Sequence, residues 1–150
     1  MPSSSSPLDF PARGKVIRVE GNFVVFNPSA TTYELRLLNH DGVPMPQVSS
    51  HTISCYIRCN ARKVWTMPSG GNFVTPIFGP PRVVQGRVRY LEETLAVVQA
   101  GVPIIVTWPA DAVAFDLATG PIVPGAIVNA TILPGATFEL ATAAVPEPSA

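Results

Sequence analysis

Basic and aromatic side chains recur at short spacing along one stretch of the chain. These residues are Tyr56, Arg58, Arg62, Lys63 and Trp65, and the amide side chain of Asn60 lies among them. Successive side chains of a β-strand point to opposite faces, so a strand would present the alternate residues from Tyr56 to Arg62 on one face. Single-strand nucleic-acid binders combine basic groups that contact phosphates with aromatic rings that stack on bases. The stretch therefore predicts a nucleic-acid contact.

Arg87 and Arg89 are expected to extend this surface, because their strand repeats the pattern of an earlier strand that can lie beside it. The predicted contact residues are Tyr56, Arg58, Arg62, Lys63, Trp65, Arg87 and Arg89. The formal net charge of the chain is zero, whereas nucleic-acid-binding domains are usually strongly basic. Nucleic-acid binding is therefore the alternative hypothesis and not the first one.

The opposite face of the same stretch is mainly apolar and contains Cys55 and Cys59. Four residues of extended chain span roughly 13 Å, whereas the Cα atoms of a disulfide lie within about 7 Å. We expect both cysteines to be reduced residues of the core. A zinc site with His40 and His51 is not predicted, because zinc ligands usually come in close pairs on turns.

No motif in the chain indicates catalysis. A Gly-x-Ser-x-Gly sequence, a phosphate-binding loop and a dinucleotide fingerprint are all absent from the sequence. Glu92 and Glu93 are adjacent, so on a strand their carboxylates would point to opposite faces. We predict a protein that is not an enzyme, with no catalytic residues, no metal and no cofactor.

The predicted strands that position these residues belong to a β unit that the sequence repeats. Residues 13–26 and 85–98 match at an offset of 72 without a gap. Gly14 corresponds to Gly86 and Val16 to Val88, and both segments read as a hairpin of two short strands. The chain therefore predicts an internal repeat of one β unit.

Short strands separated by glycine and proline turns fill both units, with about five strands in each. The 17 prolines disfavour long helices. We predict an all-β protein of two related small barrel-like units at 12–81 and 82–143. Two fused barrels and one sandwich built from two halves remain open alternatives. Residues 1–11 and 144–150 are expected to be disordered, and 109–117 to form a short helix.

Five-stranded units that begin with Gly-x-Val and a hairpin resemble OB-type and other small β-barrels in tandem. The resemblance concerns the strand pattern of most of the chain, and it implies binding of oligonucleotides on a strand face. The chain also resembles short bacterial proteins with a similar Gly-x-Val and Pro-Ile-Phe-Gly-Pro-Pro-Arg arrangement, here residues 76–82. This second resemblance implies no activity.

Charge is segregated along the chain. The first 89 residues hold all ten basic and four acidic residues, a formal +6, and the remainder holds six acids, a formal −6. Charged residues make up only 13% of the chain, where about 25% is usual. We therefore expect first a structural or protein-interaction module that self-assembles. No apolar segment is long enough to span a membrane, and a cytoplasmic location is expected.

Overall fold

The computed structural model describes residues 6–39, 46–48, 50–109 and 122–141. The described chain is nearly all β-structure, and eleven strands form one mixed sheet, which confirms the predicted all-β class. The strands are β1 (Ala12–Glu20), β2 (Phe23–Pro28), β3 (Glu34–Asn39), β4 (Ile53–Met67), β5 (Phe73–Thr75), β6 (Phe78–Gly79), β7 (Val83–Glu92), β8 (Leu95–Gln99), β9 (Pro103–Thr107), β10 (Ile127–Ile132) and β11 (Thr137–Leu140).

Within these ranges the one helical element is a 3-10 turn at Pro7–Asp9, in the segment predicted to be a disordered arm. The predicted helix at 109–117, apart from Pro109, and the predicted tail at 144–150 lie outside the described residues. No helix of the described chain is long and apolar enough to cross a membrane.

The period-two alternation of the sequence predicts a strand from Ser49 to Ala61, whereas β4 spans Ile53–Met67. The sequence alternation breaks at Arg62 and Lys63, and this break predicts the earlier end. The pairing with β10 passes from Ala61 opposite Ile132 to Lys63 opposite Thr131, so Arg62 is an extra residue in the ladder. This β-bulge restores the alternation, and Val64 is buried again beyond it.

The strand pairings form two closed cycles that share β4. Starting from β1, they run through β2, β3, β11 and β4 and return to β1. Starting from β7, they run through β8, β9, β4 and β10 and return to β7. The first cycle therefore contains β11 from the predicted second unit, and the second cycle contains β4 from the predicted first unit.

One hydrophobic cluster fills the inner sides of the sheet and draws residues from both predicted units. The Phe138 ring of β11 lies 5.7 Å from the Phe26 ring of β2, measured between centroids. Both side chains are fully buried. The predicted boundary at residues 81 and 82 is thus crossed by strand pairings and by core contacts.

Gly14 and Gly86 lie where a neighbouring strand approaches too closely for any side chain. A Cβ atom at Gly86 would clash with the Gln99 carbonyl oxygen and lie 2.6 Å from its carbon. A Cβ atom at Gly14 would clash with the Asn27 carbonyl oxygen and lie 2.7 Å from the Phe26 ring. The glycines of the two matching segments therefore have the same role, which is to permit close strand contact.

Candidate nucleic-acid interface

The seven predicted contact residues lie on β4 and β7, and the structure divides them into two groups. Tyr56, Arg58 and Arg89 contact the N-terminal segment or β11. The other four lie together on the outer side of β4, β10 and β7: Arg62, Lys63, Trp65 and Arg87. Among them, the Arg87 guanidinium donates a hydrogen bond of 2.9 Å to the Gly125 carbonyl oxygen. These four residues are called the basic face below.

Tyr56 and Arg89 contact the N-terminal segment. The Tyr56 hydroxyl donates a hydrogen bond of 2.7 Å to the Leu8 carbonyl oxygen. Burial and the nearby Glu139 carboxylate both raise the pKa of Tyr56, so its hydroxyl stays protonated and able to donate. The Arg89 guanidinium lies 5.1 Å from the Phe10 ring centroid. A ligand reaching these residues would have to displace the segment.

Arg58 forms an ion pair with Glu139 of β11, with 3.0 Å between Nη2 and Oε1. Arg58 lies opposite Thr137, two residues before Glu139 on the neighbouring strand. The pair joins one residue from each of the oppositely charged parts of the sequence. The positive charge of Arg58 is therefore compensated within the chain.

The strand register places the basic face in adjacent rows. Lys63 lies opposite Thr131 of β10, and Trp65 lies opposite Asn129. In the next row Ile127 has Met67 on one side and Arg87 on the other. The Lys63 ammonium lies 6.0 Å from the Trp65 ring centroid. Because of the bulge at Arg62, Lys63 and Trp65 stay on the outer side.

No carboxylate belongs to the strands of this face near the four residues. Strands β4 and β10 contain no aspartate or glutamate, and the one acid of β7 is Glu92 at its end. Arg62 forms no ion pair with the described residues. A surface of this kind attracts anions, and Trp65 adds an aromatic ring that can stack on a base.

Two consecutive hydrogen bonds of side-chain amides orient Asn129, which lies opposite Trp65. The Asn129 side-chain amide donates to the Gln85 side-chain oxygen at 2.8 Å, and the Gln85 amide donates to the Gly71 carbonyl at 2.9 Å. Gln85 is buried. These bonds hold the middle row of the face in one arrangement before any ligand binds, which lowers the entropic cost of binding.

A groove of about 870 Å³ continues the basic face beyond Lys63. Val83 and Thr131, which occupy the Lys63 row, belong to its wall together with Arg82. On the far wall the Arg36 guanidinium lies 3.7 Å from the Phe23 ring centroid. The groove thus adds a second aromatic ring and two guanidinium groups to the face.

Sequence reasoning does not single out Phe23, Arg36 or Arg82 as contact residues. Arg36 is also bonded to Glu20 at 3.2 Å, and hydrogen bonds from Arg18 and Arg36 lower the pKa of that carboxyl. The resemblance of the sequence to OB-type units gives one signal, because such units bind ligands on the face of their second and third strands. Phe23 and Arg36 stand on β2 and β3.

Cys55 and Cys59 are free thiols and fully or almost fully buried. Burial raises the pKa of both, that of Cys59 to about 12. Thiols that stay protonated at neutral pH are poor nucleophiles. Among the described residues no three histidine, cysteine or acidic side chains form a cluster able to hold a metal, and His40 lies outside them.

The cysteines provide a direct test of this core packing. We expect neither thiol to react with a disulfide reagent such as DTNB at pH 8 in the folded protein, because thiolate and access are both lacking. Both should react rapidly in denaturant, giving two thiols per chain. Rapid reaction of one thiol in the native protein would contradict the packing of β4.

Fold alone does not determine function, and all-β folds with strand faces of this kind serve many ligands. The basic face and the groove are two adjoining surfaces of the described chain whose side chains could bind an anionic, aromatic ligand. Comparison with protein-family models, with curated proteins and with solved structures finds no match for this chain.

Proposed function

We propose that this protein is a non-enzymatic binding module that holds single-stranded nucleic acid along the basic face and the adjoining groove. The observation that carries the proposal is the outward projection of Arg62, Lys63 and Trp65 from β4, with Arg87 two strands away. No acidic residue lies on the strands between them. The ligand class and a cytoplasmic location both belong to this proposal.

In this proposal the cations bind phosphates and the aromatic rings stack on bases. Four cationic side chains, Arg62, Lys63, Arg82 and Arg87, line the path from the groove to the far end of the face. Trp65 offers a stacking surface in the middle of the path, and Phe23 a second one in the groove. Every base has a flat face, so such binding tolerates many sequences.

The proposal includes an architecture of two related OB-type barrels that share β4, with β11 returning to the first of them. Each closed cycle has five strands, the number in an OB-type barrel. The β1–β2 pairing shifts register between Val16 and Arg18, and the β7–β8 pairing shifts between Val88 and Tyr90. These positions are related by the same offset of 72 residues as Gly14 and Gly86. Bulges and glycines at matched positions support an internal repeat.

The test is fluorescence anisotropy of a labelled 20-nucleotide single strand of mixed sequence, titrated with the full chain at several salt concentrations. Four phosphate contacts should give a slope of log K against log salt of about −3, because each contact contributes about −0.7 in single strands. A duplex of the same sequence should bind more weakly, since its bases cannot stack on Trp65. Absence of binding at 50 mM salt would overturn the proposal.

A second candidate function, self-association, is favoured by an exposed apolar edge. Ile77 and Phe78 are neighbours with 44% and 59% of their surface exposed. Among the described strands β6 has a ladder partner on one side, where it pairs with β3. Edge strands of this kind pair between copies of a chain. Because Arg58 and Glu139 pair within the chain, the proposed contact between copies is apolar and not ionic.

Light scattering after size-exclusion chromatography tests self-association. We expect a dimer whose mass does not change between low and high salt, because salt screens exposed charges and not apolar contacts. Phe78→Asp should shift the dimer to monomer, and Phe78→Leu should not. A wild-type monomer at micromolar concentration would remove self-association from consideration and leave the nucleic-acid proposal untouched.

A further inference from the structure

Residues 6–11 lie against the outer side of the second strand cycle and are called the N-terminal strap below. The Phe10 ring lies 6.1 Å from the Tyr90 ring, measured between centroids, and 5.1 Å from the Arg89 guanidinium carbon. The Leu8 carbonyl accepts the hydrogen bond from Tyr56. The strap therefore contacts three side chains from two strands, β4 and β7.

The outward row of the second cycle that contains Tyr90 is apolar, whereas the matching row of the first cycle is ionic. Across β7, β8 and β9 the register aligns Tyr90, Val97 and Ile105. Val97 and Ile105 alternate with residues of the core and so project outward, yet their exposed fractions are 0% and 2%. An outward apolar row of this kind is stable only when something covers it.

In the first cycle, charged side chains flank the corresponding outward row. Across β1, β2 and β3 the register aligns Arg18, Val25 and Arg36. The two arginines form ion pairs with Glu20, each at 3.2 Å, and Arg18 also pairs with Glu34 at 3.4 Å. Charged side chains thus flank the outward row of the first cycle, whereas in the second cycle the strap contacts the Tyr90 end of the row.

The strap is built as a short preformed ligand. Ser6 and Asp9 close a capping box around the 3-10 turn, in which the Ser6 amide donates to the Asp9 carboxylate at 2.9 Å. Pro7, the first residue of the turn, and Pro11, beyond its end, restrict the backbone. A segment that is already ordered loses little entropy when it docks. Its Leu8 side chain is 48% exposed, so the contact is shallow.

We propose that the outer surface formed by Tyr56, Arg89, Tyr90, Val97 and Ile105 is a peptide-docking site, and that the N-terminal strap is its intramolecular ligand. The recognised chemistry is a backbone carbonyl that accepts from Tyr56, followed two residues later by an aromatic ring between Tyr90 and Arg89. A proline-flanked aromatic peptide of this kind binds in trans when the strap is displaced. This site is separate from the basic face and does not depend on the proposed nucleic-acid binding.

The test uses the full chain and a fluorescein-labelled peptide with the sequence of residues 5–14. The tethered strap competes at an effective concentration on the order of millimolar, so wild-type protein should bind the added peptide weakly. The full-length Phe10→Ala variant weakens its own strap and should bind the wild-type peptide at least ten-fold more tightly. A peptide carrying Phe10→Ala should bind neither protein.

Further variants separate docking from a general structural effect. Adding Tyr90→Ala to the Phe10→Ala chain should reduce peptide affinity at least ten-fold, and adding Tyr56→Phe should reduce it several-fold. Arg13→Glu in the same background is the control and should change nothing. Circular dichroism checks that each variant is folded. Equal peptide binding by wild-type and Phe10→Ala chains, or no binding by the folded Phe10→Ala chain, would overturn the proposal.

Discussion

Reversing two charges, Arg62→Glu with Lys63→Glu, is expected to weaken binding of a single-stranded oligonucleotide about 100-fold or more at 0.1 M salt. The two side chains supply half of the four cations along the proposed path. Their loss removes two counterion-releasing contacts, and the new carboxylates repel the neighbouring phosphates. The slope of log K against log salt should fall from about −3 to about −1.5. Anisotropy titrations at three salt concentrations measure both quantities.

The matched control is Arg13→Glu with Lys15→Glu on β1, which changes the net charge by the same amount. Both residues are exposed, and neither forms an ion pair with the described residues. No strand pairing places β1 beside β10 or β7, since β1 pairs with β2 and the start of β4. If the control weakens binding as much as the test variant, the ligand responds to net charge and the basic face is not its site.

Trp65→Ala separates stacking from charge within the same experiment. Removal of one stacked base costs about 1–3 kcal/mol, which is roughly a 5- to 150-fold loss of affinity. The salt slope should stay unchanged, because no phosphate contact is removed. Trp65→Phe should retain most of the affinity. A shallower slope of log K against log salt for Trp65→Ala would mean that the variant has disturbed the phosphate contacts of Lys63 and Arg62.

The second large effect is expected from Phe138→Ala in β11, which should lower the free energy of unfolding by about 3–5 kcal/mol. Phe138 is fully buried and packs on Phe26, and β11 completes the first strand cycle by pairing with β3 and β4. The total stability of a domain is about 5–15 kcal/mol. A substitution near the C-terminal end of the sheet should therefore destabilise the N-terminal strands as well.

Urea denaturation followed by far-ultraviolet circular dichroism and by tryptophan fluorescence measures this effect. Because the two cycles share β4, both probes should report one coincident transition, before and after the substitution. Phe78→Ala is the control at a concentration that keeps the protein monomeric. Its ring is exposed, so the cost should stay within about 0.5 kcal/mol. Two separate transitions, with one unaffected by Phe138→Ala, would show that the two parts unfold independently.

Much of the local structure is readable from single residues and their spacing. The alternation from Ser49 to Ala61 predicts the first part of β4 and the burial of Cys55 and Cys59, because side-chain direction in a strand depends on position. The matched glycines of the two segments, Gly14 and Gly86, coincide with the close strand contacts. The continuation of β4 to Met67 cannot be predicted from the sequence of β4 alone, because the bulge at Arg62 is defined by the pairing with β10.

The candidate site can be predicted from the sequence only in part, because contacts with distant residues decide which of its side chains can reach a ligand. Arg58 is paired with a glutamate 81 residues later, and Tyr56 is bonded to a carbonyl 48 residues earlier. No local pattern distinguishes these side chains from Arg62, which stands on the same strand and forms no ion pair with the described residues. The contribution of Phe23 and Arg36 is equally non-local, since the groove joins β2 and β3 to the start of β7.

By itself, the sequence determines the class of the protein, the places of most strands and the outward direction of the basic side chains. Period-two alternation, turn glycines and prolines act within a few residues, so they can be read without the fold. Only the tertiary structure decides that β4 serves two strand cycles, that β11 returns to the first of them and that the N-terminal strap covers part of the predicted face. These outcomes depend on which distant strands pair, and pairing is selected by the whole core and not by any single segment.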